Sequence, residues 1–294
     1  MRIVEEDRSD LLTDVSDSSM IIASDYSGQH KRASHEAYAF LVTTERSLHE
    51  WLPELTEFRQ QWLPDNRRIA FKNVNEKLRW GALPAFLSTV ENLDCNLIAI
   101  LVDRRVGSFS SGGKEALVEA LPNCFPVKAK DGTVEKMLRL ASFVALILAG
   151  LRREEQTSHW ISDHDEALDS HEKREMFARL ATYLTFGLTG WRKAADHYFG
   201  TTESPLAPLW SEDLASVADL VAGSYCKMSE HLPSFLGQQK WTVSMGSHAI
   251  EDRRARAIGN WLAQIKGPLR HVLLRLEQSI DGSVNSSAQA FVKR

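Results

Sequence analysis

Apolar residues recur along this chain in two rhythms. Met20-Ile21-Ile22-Ala23 is a continuous apolar run that stops at Asp25-Tyr26-Ser27-Gly28, which predicts a buried strand ending in a turn. Residues 38–42 predict a second strand, with the polar loop 29–36 between them as a hairpin connection. Residues 47–62 space Leu48, Trp51, Leu52, Leu55 and Phe58 near 3.6, which predicts a helix ended by Pro64-Asp65-Asn66. Residues 67–71 read as a short strand, and 76–93 as a second helix with Pro84 inside it. The strongest strand pattern, 96–102, ends at Asp103.

Beyond a loop at 107–113, the pattern predicts a helix over 133–153 and a short strand over 158–162 that ends at Asp163-His164-Asp165. A helix over 173–188, a strand over 197–201 and a helix over 211–227 follow. Ser211 is the expected cap of the last, with Glu212 and Asp213 in its first turn. After Pro233, residues 250–265 and 269–280 read as two helices split at Gly267-Pro268. Strands first, then alternating helices and strands, predict an α/β fold: a mixed β-sheet flanked by helices. The expected division is a flexible segment over 1–18, the α/β domain over 19–232 and a helical C-terminal appendage over 233–294.

Charge and cysteine usage narrow the classes. Lys+Arg number 35 and Asp+Glu 39, a formal charge of −4, so nucleic-acid contact would need a local basic patch. Cys95, Cys124 and Cys226 form no C-x-x-C pair, which predicts reduced thiols in a cytoplasmic protein and no zinc site. The polar N-terminus predicts no signal peptide. The longest apolar run, near 141–151, is far shorter than the ~20 residues that span a bilayer.

The candidate chemistry lies in acids that end strands. Asp25, Asp103 and the Asp163/Asp165 pair stand where apolar strands stop, and ligands of open α/β sheets gather beyond such ends. Asp219 is the sole charge after the first turn of an otherwise apolar helical stretch. Strand ends also carry Asp for its turn chemistry, so each acid taken singly has a plain structural explanation. Together they matter more. Two like charges ~4 Å apart at an effective dielectric of ~20 repel by about 4 kcal/mol, so converging carboxylates bind protons or a cation. Oxygen donors without a suitably spaced His or Cys point to Mg2+ or Mn2+. Residues 107–114 are glycine-rich, but the spacing is one residue too long for a P-loop and Glu115 stands where Ser or Thr belongs.

Asp25-Tyr26-Ser27-Gly28, Val102-Asp103, Asp163-His164-Asp165 and Ala218-Asp219-Leu220-Val221-Ala222-Gly223 together resemble the bacterial family called domain of unknown function 3800, placed in the RNase H-like superfamily. The resemblance covers roughly residues 20–227. It implies an RNase H-like fold, with Asp25, Asp103, Asp219 and one of Asp163 and Asp165 as catalytic metal ligands. The implied activity is two-metal hydrolysis of phosphodiester bonds in DNA or RNA. Lys31, Arg32, Arg67, Arg68, Lys72, Arg104 and Arg105 are then the candidate nucleic-acid-binding rim. Where the family has an acid after the leading aspartate, this chain has Tyr26. Two other functions remain open from the sequence. One is an inactive RNase H-like module of a phage-defence or mobile-element system. It would bind a protein partner or a second copy through the C-terminal helices, where Leu269, Val272, Leu273 and Leu276 form an apolar stripe. The other is a phosphoesterase acting on small phosphates.

Overall fold

The computed structural model describes residues 12–29, 33–109, 115, 119, 130–163, 168–190, 196–203, 207–230 and 252–291. Among these, seven strands form one mixed sheet: β1 (Ser19–Ser27), β2 (His35–Thr44), β3 (Cys95–Asp103), β4 (Thr157–Ser162), β5 (His197–Thr201), β6 (Arg270–Gln278) and β7 (Val284–Phe291). Their spatial order is β5-β4-β1-β2-β3-β6-β7. The first three strands are an antiparallel meander. β4 runs parallel to β1, β5 to β4 and β6 to β3, whereas β7 is antiparallel to β6. The strands β1, β3, β4, β5 and β6 therefore bring their C-terminal ends to one edge.

Among the described residues, six α-helices cover the two faces: α1 (Glu45–Trp62), α2 (Lys77–Glu91), α3 (Asp131–Leu151), α4 (His171–Thr189), α5 (Leu209–Ser229) and α6 (Arg253–Leu262). Ala23, Ala39, Leu41, Leu97 and Ala99 face α1, α2, α5 and α6. Ile22, Phe40, Val42, Ile98 and Ile100 face α3 and α4. A strand covered on both sides needs apolar residues at every step, which is why β3 reads as a continuous run and is buried throughout. The expected α/β architecture is thus observed. α5 crosses the centre of the first face and is buried almost all round, which accounts for its small and apolar residues between Leu214 and Cys226.

Several expectations need correction. Residues 269–280 do not form a helix: Arg270–Gln278 is β6, and β7 pairs beside it. Leu269, Val272, Leu273 and Leu276 fit a helical stripe, but an apolar run this short fits a strand equally well. In β6 they are divided between the faces, Leu273 toward α6 and Leu276 toward α3. The chain after Pro233 therefore supplies one described helix and two strands to the same sheet, in place of a helical appendage. Of the stripe that would have bound a partner, Leu269 and Leu273 are buried and Leu276 packs against the core.

Residues 67–71 are not a strand but an extended connection laid over α5. Ser211 does not cap α5; Pro208 stands at the cap, and the Ser211 hydroxyl donates to its carbonyl. The described part of the N-terminal segment is tied down. Val15 is buried, Thr13 exchanges two hydrogen bonds with Asn96, and Gln156 donates to the Val15 and Asp17 carbonyls. Among the described residues, no helix is long and apolar enough to cross a membrane.

Candidate functional site

The register of the parallel pair β1 and β4 places two of the acids side by side. Ser24 lies opposite Ser162, and the Asp163 amide donates to the Ser24 carbonyl at 3.3 Å. One step further along, Asp25 and Asp163 are level on neighbouring strands and share a face. That is the face on which α5 packs, and α5 brings Asp219 to it. Arg68, from the connection between α1 and α2, joins the acids. Its Nη1 donates to Asp163 Oδ1 at 2.6 Å, and its Nη2 lies 3.6 Å from Asp25 Oδ2. The Phe71 amide donates to Asp219 Oδ2 at 2.6 Å, and the Thr202 hydroxyl to Asp163 Oδ1 at 2.8 Å.

Three carboxylates around one guanidinium leave negative charge in excess. Burial pushes the Asp25 carboxyl well above the usual range, and the charges of Asp219 and Asp163 push it further. The Tyr26 amide and Arg68 act the other way. Burial also raises Asp219, with Asp163 adding to the rise, while the Phe71 amide, Arg68 and Lys72 oppose it. Such a site gains from more positive charge.

Asp103 does not join them. It faces the same side of the sheet, because Asp25 is level with Ala39 and Ala39 with Ala99. It stands four residues beyond Ala99, roughly 13 Å further along, and two strands (about 10 Å) to the side. There it caps the short 3-10 turn Arg104–Val106 and is paired with Arg105. Burial works against its charge, but the Arg105 hydrogen bonds hold its carboxyl below the usual range. Asp165 lies outside the described residues.

The basic rim is also rearranged. Arg68 lies inside the acidic group. Arg104 donates to the Gly28 carbonyl at 2.9 Å and lies 3.6 Å from Glu36, so it holds the turn after β1. Gly28 is needed there: its φ is +91°, and a Cβ would overlap the His35 carbonyl oxygen. Arg105 is engaged by Asp103, and Arg67 by Asp65. Lys72 is exposed and close enough to Asp219 to influence it. Lys31 and Arg32 lie outside the described residues.

Tyr26 points to the opposite face. Its ring packs 5.9 Å from Tyr38 under the ammonium of Lys136. The Tyr26 side chain therefore stands apart from the group of Asp25, Asp163 and Asp219.

The connection that carries Arg68 is held by arginines from three helices, each donating to its carbonyls. Arg59 of α1 binds the Arg67 oxygen, Arg79 of α2 the Arg68 oxygen, and Arg254 of α6 the Phe71 and Lys72 oxygens. Phe71 rests on Gly223, one helical turn after Asp219, so Asp219 and Gly223 present one face of α5 to the same residue. A Cβ at Gly223 would overlap the Phe71 ring. The spacing in Ala218-Asp219-Leu220-Val221-Ala222-Gly223 follows from this contact. It was the one sequence signal for a role of Phe71; nothing marked Thr202.

Gly223→Ala is expected to lower stability by about 1–3 kcal/mol through overpacking, which outweighs the ~1 kcal/mol helix-propensity gain. Gly187 of α4, with open space where its Cβ would stand, is the control. Urea midpoints should fall for Gly223→Ala and hold or rise for Gly187→Ala. A Gly223→Ala midpoint at or above wild type contradicts the packing described.

The donor set suits a hard divalent cation in chemistry, being three carboxylates short of positive charge. As the side chains stand, they frame Arg68. Among the described residues, no three His, Cys, Asp or Glu side chains are grouped as they would be around a metal ion.

No family model matches the chain, and no curated protein does. Among solved structures it is similar to the ribonuclease H2 from Pyrococcus horikoshii OT3, with 14% sequence identity and a TM-score of 0.37 over 83% of this chain and 86% of that one.

Proposed function

We propose that this protein is a divalent-metal-dependent nuclease of RNase H-like fold, a member of the domain of unknown function 3800 family, that hydrolyses phosphodiester bonds of DNA or RNA. The observation that carries this reading is the meeting of Asp25, Asp163 and Asp219, from two parallel strand ends and a crossing helix, at the edge where five strands terminate.

Asp25, Asp163 and Asp219 would hold Mg2+ or Mn2+. Bound there, two such ions supply an activated water and charge stabilisation at the leaving oxygen. The protein's own groups orient the donors. The Phe71 amide fixes Asp219, the Thr202 hydroxyl fixes Asp163 and the Tyr26 amide fixes Asp25. Lys72, exposed and close enough to Asp219 to act on its charge, is the basic group best placed to meet a phosphate backbone. Cys95 and Cys226 are free, buried thiols, which suits a reducing cytoplasm.

The test is cleavage of single- and double-stranded DNA, RNA and an RNA–DNA hybrid with Mg2+, Mn2+ or EDTA. At least one substrate should be cut only with metal, and Asp25→Asn should cut it at least ~100-fold more slowly. Equal activity of the two proteins would remove the assignment. A second reading is favoured by the Arg68 ion pairs: the acids form a permanent structural cluster neutralised by Arg68, and the protein acts as a non-catalytic module. Absence of Mn2+ binding at millimolar concentration would support it.

A further inference from the structure

Arg68 contacts the same carboxylate oxygens that a metal would need. Its Nη1 engages Asp163 Oδ1 at 2.6 Å, its Nη2 faces Asp25 Oδ2 at 3.6 Å, and the Asp219 charge also acts on it. A guanidinium and a divalent ion cannot both lie close to these oxygens without strong like-charge repulsion. One must exclude the other, or the acids must part.

The surroundings favour movement of the Arg68 side chain alone. The carbonyls of Arg67, Arg68 and Phe71 are each held by an arginine from a different helix, at 3.3, 2.7 and 3.1 Å. The backbone under Arg68 is therefore pinned. The side chain is held less tightly: among the described residues Nε and Nη2 have no hydrogen-bond partner, and about a fifth of the side chain is exposed. Among the described residues, leaving the site breaks one hydrogen bond and one longer ion pair, and the flexible stem can carry the charge outward into solvent.

We propose that Arg68 is a positioning residue that serves as the built-in counter-cation of the acidic site, and that it must swing out for a divalent metal to enter. It thereby keeps Asp25, Asp163 and Asp219 poised together and sets how much metal is needed to load them. This inference rests on the metal-binding reading above.

The experiment is calorimetric titration of Mn2+ into wild type, Arg68→Ala and Arg68→Lys, with thermal melts in EDTA and in Mn2+. Arg68→Ala should bind Mn2+ about tenfold or more tightly than wild type, and Arg68→Lys, which keeps a cation there, should stay near wild type. Arg68→Ala should melt lower than wild type in EDTA and gain more from Mn2+. If it does not fold in EDTA, recovery of its far-ultraviolet circular dichroism on adding Mn2+ gives the same answer, and failure to recover counts against the proposal. Equal or weaker Mn2+ affinity in Arg68→Ala overturns this inference and leaves the metal site standing. If none of the three proteins binds Mn2+, the functional reading fails and the inference with it.

Discussion

Asp25→Asn is expected to melt higher than wild type in EDTA and to gain nothing from Mn2+. Asp25 is held in a conformation that is unfavourable for its own charge. Its side chain is 13% exposed, it shares the site with Asp163 and Asp219, and Arg68 approaches it only at 3.6 Å. Asn keeps the shape and can still accept from the Tyr26 amide, while removing the buried charge. Relief of such strain is worth of the order of 1 kcal/mol, at the expense of function. The sign with pH follows. Burial and like charges raise the folded-state pKa of Asp25, so its contribution to stability is largest below the unfolded value near 3.8 and is lost as pH rises through the folded one. The advantage of Asp25→Asn should therefore grow as pH rises through that window and shrink in acid. Scanning calorimetry in EDTA at several pH values reads this directly. A variant that melts lower than wild type throughout would show Asp25 to be a stabilising structural acid.

The largest loss of stability is expected for Arg59→Ala. Arg59 Nε and Nη2 meet the two oxygens of Asp213 at 3.0 and 2.5 Å, with both side chains over nine-tenths buried. Burial pushes the Asp213 carboxyl up to about 6, even with Arg59 pulling it down. Removing Arg59 strands a carboxylate in the core between α1 and α5, and breaking a buried pair in this way costs about 3–5 kcal/mol. The variant should regain stability in acid, where Asp213 is protonated. Arg59→Met combined with Asp213→Leu should restore much of the loss, since apolar replacement of a whole buried pair is close to neutral. It should not restore the hydrogen bond to the Arg67 carbonyl, so the connection carrying Arg68 stays loosened. Chemical denaturation of the three proteins separates these effects. A loss under 1 kcal/mol for Arg59→Ala would contradict the burial of the pair.

The local patterns foretold much of this arrangement. Asp25, Asp163 and Asp219 each interrupt apolar stretches at places that burial makes costly, and that cost is visible in sequence. Asp103 has the same local signature. What separates it from the others is register and strand order: β2 lies between it and Asp25, and β3 runs four residues further. Those are long-range properties that no local pattern holds.

The same limit explains β6. Leu269, Val272, Leu273 and Leu276 satisfy helical spacing, but a run this short fits a strand as well, and only pairing with β3 decides between them. Arg68 looked like a surface phosphate contact, because the chain beneath it reads as a strand. In fact that chain is shaped by Arg59, Arg79 and Arg254 of α1, α2 and α6, whose hydrogen bonds to its carbonyls no local pattern shows. Gly223 was legible only as part of a motif. Its cause, the ring of Phe71, is 152 residues away by sequence number (223 − 71).

The proposed function turns on Asp25, Asp163 and Asp219 together holding a divalent cation. The most direct measurement is an anomalous difference map from crystals grown with Mn2+. A strong peak bounded by the three carboxylates is expected, with the Arg68 guanidinium turned away from Asp163. Crystals soaked in millimolar Mn2+ that show no peak there, and Arg68 still on Asp163, would contradict it.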